Sequence, residues 1–475
     1  MIASEVTPFA KTGGLADVLG TLSVALERLG HELCVIAPAY RCVLNGDFTL
    51  QETAIQLTVP ISDHQTEASV LSASIGTSVP VYFIRADDYF DRAELYGTAQ
   101  GDYPDNAERF TFFSRAALEL LRRQPVDVVH CHDWQAALAA VFLKTQADHY
   151  PELAAAKVVF TIHNLGFQGI FHRLGWHLLN LDSGYFTPQF LEFFSSINFL
   201  KGALIFADKM TTVSRSYAQE IMTPEQGFGL DGVLRQRAAG LVGILNGVDY
   251  SIWNPETDRF LAHHYNGNSL TVKRKCKTEL RQALGLPDVA RMPVLAMITR
   301  LTLQKGIDLV EAIFEKLLER KLQFVMLANG EPRFEDFFRA AAGRDPDRIA
   351  VRIGFDDPLA HRIEAGADLF LMPSQYEPCG LNQMFSLKYG TIPIVRAVGG
   401  LKDTVEDYDA QAQTGTGFVV ETHNPQALLD AIDRGLAAFS EKESWNALRR
   451  RAMSMDFSWE RSAQAYSDLY QELAS

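Results

Sequence analysis

Short apolar runs, each closed by a turn and followed by an amphipathic stretch, recur along most of this chain. Val126-Asp127-Val128-Val129-His130 predicts a buried strand leading into a helix over residues 135–144. Residues 157–163 and 208–213 predict further strands. A second series opens at 293–298 and continues at 324–327, 351–353, 369–372 and 392–395. Helical patterns separate these runs, as over 307–319, where Leu309, Val310, Ile313, Phe314 and Leu317 return at helical spacing. Strands alternating with helices predict parallel sheets covered on both faces, the α/β class. A polar stretch near 254–275 separates the two series, and the domain boundary is placed just before it, at residues 246–253. The expected parts are domains over 1–245 and 246–456 and a closing helix over 457–475. That helix has a Ser458 cap candidate and an apolar face of Ala463, Tyr466, Leu469 and Tyr470.

Composition agrees with this division. A chain of 475 residues is too long for one ordinary core and suits two domains. The formal charge of −14 argues against a nucleic-acid surface, though it leaves room for a local phosphate pocket. The five cysteines are scattered and lack metal-type spacing, the pattern of a reduced, cytosolic protein. No signal-like segment opens the chain and no apolar run approaches the roughly 20 residues of a membrane span, so no membrane partner is expected. A removed transit peptide would leave no trace, so a plastid location is equally compatible.

In doubly wound sheets ligands bind outside the carboxyl ends of the strands, and the candidate residues fall there. Lys11-Thr12-Gly13-Gly14-Leu15-Ala16-Asp17 opens a helix that Gly30 is placed to end. Its glycines admit close approach of a phosphate to a helix N-terminus, and Lys11 adds positive charge; the same pair also serves as a plain turn. His132-Asp133-Trp134 ends a strand and opens a helix, where Asp133 reads equally as a site residue or an N-cap. His163-Asn164 ends the next strand. Asn246-Gly247-Val248-Asp249 reads first as a turn. Arg300 and Lys305, between a strand and a helix, can converge on a diphosphate. Glu377-Pro378-Cys379-Gly380-Leu381-Asn382-Gln383 puts a carboxylate and the Gly380 and Leu381 amides at another helix start, and Gly399-Gly400 repeats the device one unit later. No cluster of His, Cys or carboxylates has metal-ligand spacing.

Together these residues resemble the bacterial glycogen synthase and plant starch synthase family. The resemblance covers essentially the whole chain in one order, through Ser4-Glu5, Lys11 to Asp17, His132-Asp133-Trp134, His163-Asn164, Asn246 to Asp249 and Trp253. It continues through Arg300 to Gly306, Glu377 to Gln383, Lys388-Tyr389-Gly390-Thr391, Gly399 to Thr404 and Asp456-Phe457-Ser458-Trp459. It implies two Rossmann-like domains facing a cleft (the GT-B fold), with the last helix crossing back to the first domain. The implied reaction moves glucose from ADP-glucose to the non-reducing end of an α-1,4-glucan, glycogen or starch, with retention and without a metal or other cofactor.

Carried onto matching positions, the resemblance puts Lys11 with the Gly13 and Gly14 backbone near the diphosphate and glucose. Arg300 and Lys305 neutralise the leaving phosphates, Glu377, Asn246 and His163 hold the glucosyl ring, and Asp133 and Glu5 lie toward transfer and acceptor. Asp17, Cys379, Gly380, Leu381, Asn382 and Gly400 are expected around the substrate.

The chain departs from the family pattern at several points. Met1-Ile2-Ala3 replaces a fuller first strand, pointing to a trimmed start, and Leu327-Ala328-Asn329-Gly330-Glu331 replaces a more glycine-rich loop. Phe355 stands where Tyr is frequent near the adenine, and Asn382 where Thr is frequent. The rival readings are a retaining transferase that uses UDP-glucose, and a catalytically silent glucan-binding protein on the same scaffold.

Overall fold

The structure, a computed structural model, describes residues 1–98 and 100–474. The chain divides into two compact units, one of Met1–Gly247 with Trp459–Ser475 and one of Val248–Ser458. Asn246 and Gly247, which the sequence reading gave to the second domain, therefore belong to the first unit. Gly247 lies there against Trp459, whose Cα would be 2.6 Å from an added Cβ.

In the first unit four parallel strands run in the order Leu241–Gly243, Lys209–Thr212, Lys157–Ile162, Val128–His132. Ile2 bridges Cys131 on one side and Ile36 on the other, both in parallel. Beyond it Val35–Pro38 pairs in parallel with Val79–Arg85, and the edge is an antiparallel hairpin of His64–Ile75 and Gln51–Ile61. That hairpin was not foreseen. Gln51–Ile61 alternates wet and buried positions instead of forming an apolar run, as expected of an antiparallel edge with one face in water. Helices Asn106–Leu121, Asp133–Thr145 and Phe199–Phe206 pack in a row, and Gly14–Arg28 packs against Trp459–Ala474. This last helix buries Trp459, Ala463, Tyr466 and Leu469.

The second unit has one six-stranded parallel sheet. Its order is Ile349–Ile353, Gln323–Gly330, Val294–Leu301, Leu369–Met372, Ile392–Arg396, Phe418–Val420. Numbered within the unit this is 3-2-1-4-5-6, the order of dinucleotide-binding folds, with its switch point between Val294–Leu301 and Leu369–Met372. Alternate residues face opposite cores: Leu295 and Met297 pack with Ile313, Phe314 and Phe338, whereas Val294 and Ala296 pack with Leu280, Leu359 and Ile363. The polar stretch read as an interdomain spacer is packed into this unit. Tyr265 sits in a third cluster with Cys276 and Tyr389, and Lys273 donates to the Glu364 and Ala365 carbonyls. No helix among the described residues is long and apolar enough to cross a membrane.

Candidate active site

In the first unit the candidate residues gather where the sheet order reverses, around Ile2 and the end of Val128–His132. Glu5 is buried, and its carboxylate is saturated by four donors. It accepts from Thr12 N at 2.5 Å, Thr12 Oγ1 at 2.7 Å, Gly13 N at 3.3 Å and Tyr96 OH at 2.6 Å. Glu5 thus fastens the loop at 11–14, and the Gly13 N–H read as facing a phosphate is turned toward that carboxylate. Gly13 still flanks helix Gly14–Arg28 as its N-cap with no capping side chain. Lys11 stands exposed at the rim, its ammonium 2.8 Å from Asp17.

Asp133 is the first residue of helix Asp133–Thr145 and has a φ of 56°, a left-handed conformation that strains a residue with a side chain. The capping alternative is corrected, since the residue before this helix is His132 and no side chain caps it. Asp133 Oδ1 instead accepts from the His163 N–H at 2.7 Å and ties two strand ends together. Burial pushes its carboxyl up to about 7, against the opposing pull of the His163 and Asn164 N–H groups. His163 is half-buried, and desolvation drives its imidazole down to about 3, so the ring is neutral. Its Nε2 lies 3.0 Å from His132 Nδ1. Asn246 is buried at the same unit's end, with Oδ1 unpartnered among the described residues.

In the second unit Lys305 and Glu377 meet at the switch point. Arg300 is exposed at the end of the first strand, and the 3-10 turn Leu303–Lys305 follows it. Gly306 closes the turn at a φ of 69°, and an added Cβ would lie 2.1 Å from the Pro373 carbonyl. Only glycine fits that approach, which brings the turn onto the chain leaving Leu369–Met372. Lys305 Nζ then reaches Glu377 Oε2 at 2.6 Å, and Ser374 Oγ donates to the same oxygen at 2.9 Å. Lys305 is thus paired with a carboxylate that is only 5% exposed.

The loop after Glu377 is braced from below. Gly400 N donates to the Glu377 carbonyl at 3.1 Å, so its amide shapes the loop instead of facing a ligand. Cβ atoms on Gly399 and Gly400 would fall 1.9 Å from the Glu377 carbonyl and 2.0 Å from the Cys379 carbonyl. Asn382 Nδ2 donates to the Ile298 carbonyl at 2.8 Å, a tie between helix start and central strand. Gln383 Nε2 holds the Cys379 and Gly380 carbonyls, each at 3.0 Å. Leu381 precedes helix Asn382–Tyr389, whose N-terminus has no capping side chain. Phe355 is 84% exposed in the turn after Ile349–Ile353.

Three participants escaped the sequence reading. Tyr96 lies 91 positions from Glu5, and no local pattern announces such a partner. Ser374 preceded Glu377 by three residues and was passed over. His132 closes a predicted strand, and its spacing from His130 puts both rings on one side of that strand, the one signal that pairs them. No three His, Cys, Asp or Glu groups among the described residues are arranged to hold a metal ion.

Residues 1–236 match the family model described as starch synthase catalytic domain, and 277–451 match glycosyl transferases group 1. A glycogen synthase from Koribacter versatilis is 47% identical over 99% of this chain and 97% of its own length. One from Anaeromyxobacter sp. strain Fw109-5 is 49% identical over 100% and 99%. The catalytic domain of starch synthase IV from Arabidopsis thaliana, solved with ADP and acarbose, superposes with a TM-score of 0.92 at 36% identity over 100% of this chain and 98% of that one. A sucrose-phosphate synthase from Thermosynechococcus elongatus shares the fold, with a TM-score of 0.63 at 18% identity over 99% and 98%.

Proposed function

The chain belongs to the glycogen synthase and starch synthase family, glycosyltransferases of the GT-B fold, and on that premise we propose that it transfers glucose from ADP-glucose to the non-reducing end of an α-1,4-glucan with retention. The observation that carries this reading is the Lys305–Glu377 pair at the switch point of a 3-2-1-4-5-6 sheet. Breaking a glycosyl–phosphate bond builds positive charge on the sugar and negative charge on the departing diphosphate. A fixed ammonium and a fixed carboxylate within one hydrogen bond of each other offer both signs without reorganisation. We assign Arg300 and Lys305 to the leaving phosphates, together with the Gly380 and Leu381 amides, and Phe355 to stacking on the adenine. Glu377 faces the sugar carbon as positive charge grows there. In the first unit we assign Lys11 and Gly14 to the diphosphate side of the glucose, His163 and Asn246 to its hydroxyls, and Asp133 and Glu5 to transfer and acceptor, Glu5 acting through the loop it fastens. With cationic side chains supplying the neutralisation, we propose that no metal or other cofactor is needed. The scattered cysteines, without metal-type spacing, favour a reducing, cytoplasmic setting.

The test is transfer of radiolabelled glucose from ADP-glucose or UDP-glucose to glycogen, with and without excess EDTA. The expected result is a kcat/KM for ADP-glucose well above that for UDP-glucose, unchanged by EDTA. Equal use of the two donors would remove the base preference, a need for added Mg²⁺ or Mn²⁺ would remove the metal-free scheme, and no transfer would favour a silent glucan-binding protein.

A further inference from the structure

Three histidine rings lie in a row, tilted to one another, at the strand ends of the first unit. His130 and His132 have ring centroids 4.0 Å apart, and His132 and His163 5.3 Å apart. His130 spends both nitrogens on hydroxyls, Tyr470 OH at Nδ1 and Thr161 Oγ1 at Nε2, each 2.6 Å away. His132 is fully buried, and its ring makes one bond, from Nδ1 to His163 Nε2 at 3.0 Å. Its Nε2 has no partner among the described residues. Burial holds all three imidazoles far down in their neutral forms. A neutral ring carries one N–H and one lone pair, so the single bond between His132 and His163 can be made in two ways.

If His163 Nε2 donates, His132 is left with an N–H at Nε2, buried and unpaired. If His132 Nδ1 donates, the orphan at Nε2 is only a lone pair. Unpaired buried N–H groups are the rarer and costlier of the two. The second arrangement leaves His163 with its proton on Nδ1, the nitrogen without a protein partner among the described residues.

We propose that His132 is a positioning residue: by donating to His163 Nε2 it holds His163 in the Nδ1–H tautomer, so that His163 meets its ligand as a hydrogen-bond donor. That the ligand is a glucosyl hydroxyl, which then accepts, rests on the function proposed above; the tautomer does not. The assignment runs against the Nε2–H form that free histidine favours, so it needs a cause, and the buried ring of His132 is that cause.

The full chain labelled with ¹⁵N-histidine tests this without any activity assay. Long-range proton–nitrogen correlation spectra distinguish a protonated nitrogen from a lone-pair one, and the spectrum of His163→Gln identifies the His163 signals. The wild type should show His163 protonated at Nδ1 and bare at Nε2; the reverse overturns the proposal. His132→Phe keeps a flat ring beside His130 but removes the donor. It should return His163 toward the Nε2–H form and lower kcat/KM for ADP-glucose about tenfold, the worth of one hydrogen bond, with Kd for ADP unchanged. His132→Asn, whose amide can donate from the Nδ1 position, should recover kcat/KM to within about threefold. A His132→Phe enzyme with wild-type kcat/KM also overturns the proposal. Should His132→Phe fail to fold, the wild-type spectrum and His132→Asn decide. A wild type with the expected tautomer but no use of ADP-glucose would sink the proposed function and leave the role of His132 standing.

Discussion

Glu377 is the residue at which structure and chemistry press hardest on each other. Its carboxylate is nearly dry, and Lys305 and Ser374 share one of its oxygens. Glu377→Gln keeps the shape and removes the charge. If the carboxylate stabilises a cationic sugar, kcat should fall by about 10²-fold or more, with KM changed little. A rise in KM alone would make it a binding group, and near-wild-type kinetics would make it structural. Asp133 offers a prediction in stability. Its carboxyl is raised to about 7 in the fold, against an ordinary 3.8. Between those values the folded chain binds the extra proton, so the stability linked to Asp133 is greatest at low pH and is lost as pH rises through about 7. Asp133→Asn can still accept from His163 N–H but has no charge to bury. Its stability relative to wild type should climb between about pH 4 and pH 7 and level off above. Urea midpoints of both proteins across that range measure it. A gap that ignores pH would mean that the carboxyl titrates normally where it sits.

Elements carry these residues to their places, and the strand-end residues were legible because period and position were local signals. Arg300, Lys305 and Glu377 each follow a run of apolar residues that reads as a buried parallel strand, and each run is one. Contacts made at a distance left no such mark. Nothing in Glu5 announces Tyr96, and nothing in Asn382 announces the Ile298 carbonyl 84 positions away. The glycines at 399 and 400 were read as a phosphate cradle because a Gly-Gly helix start looks the same in sequence whether a ligand or a neighbouring loop lies against it. Their neighbour is the loop carrying Glu377, which yields an element-scale prediction. Gly400→Ala puts a methyl 2.0 Å from the Cys379 carbonyl, so helix or loop must move. Misplacing a reacting group by about 1 Å can cost about 10²-fold, so kcat/KM should drop at least tenfold while the melting temperature falls by only a few degrees, about what ~1 kcal/mol does in a chain this long. Unaltered kcat/KM would show that the loop tolerates the shift and that its position is not set by this helix.

At the scale of the whole molecule the chain leaves the first unit at Gly247 and re-enters it at Trp459, so the second unit is inserted between two parts of the first. The ends of the inserted unit meet, with Val248 N donating to the Phe457 carbonyl at 2.7 Å. The closing helix is stitched to the rest of the first unit. Ser462 Oγ donates to the Leu245 carbonyl at 2.5 Å, His31 pairs with Ser467 at 2.8 Å, His130 with Tyr470 at 2.6 Å and Lys209 with Glu472 at 2.8 Å. It also buries Trp459, Tyr466 and Leu469, each worth roughly 1.5–3 kcal/mol by burial. Their sum is comparable with the roughly 5–15 kcal/mol that holds a typical domain folded. A chain ended after Ser458 should therefore lose the structure of its first unit and all transfer activity. Its second unit keeps every strand of its own sheet and should still fold and bind ADP. Calorimetric titration with ADP and urea unfolding followed by circular dichroism separate the two units, since only one transition should remain. If both transitions persist, the closing helix is dispensable to the first core. Loss of ADP binding as well would mean that the second unit depends on the first to stay folded, despite having a complete sheet and cores of its own.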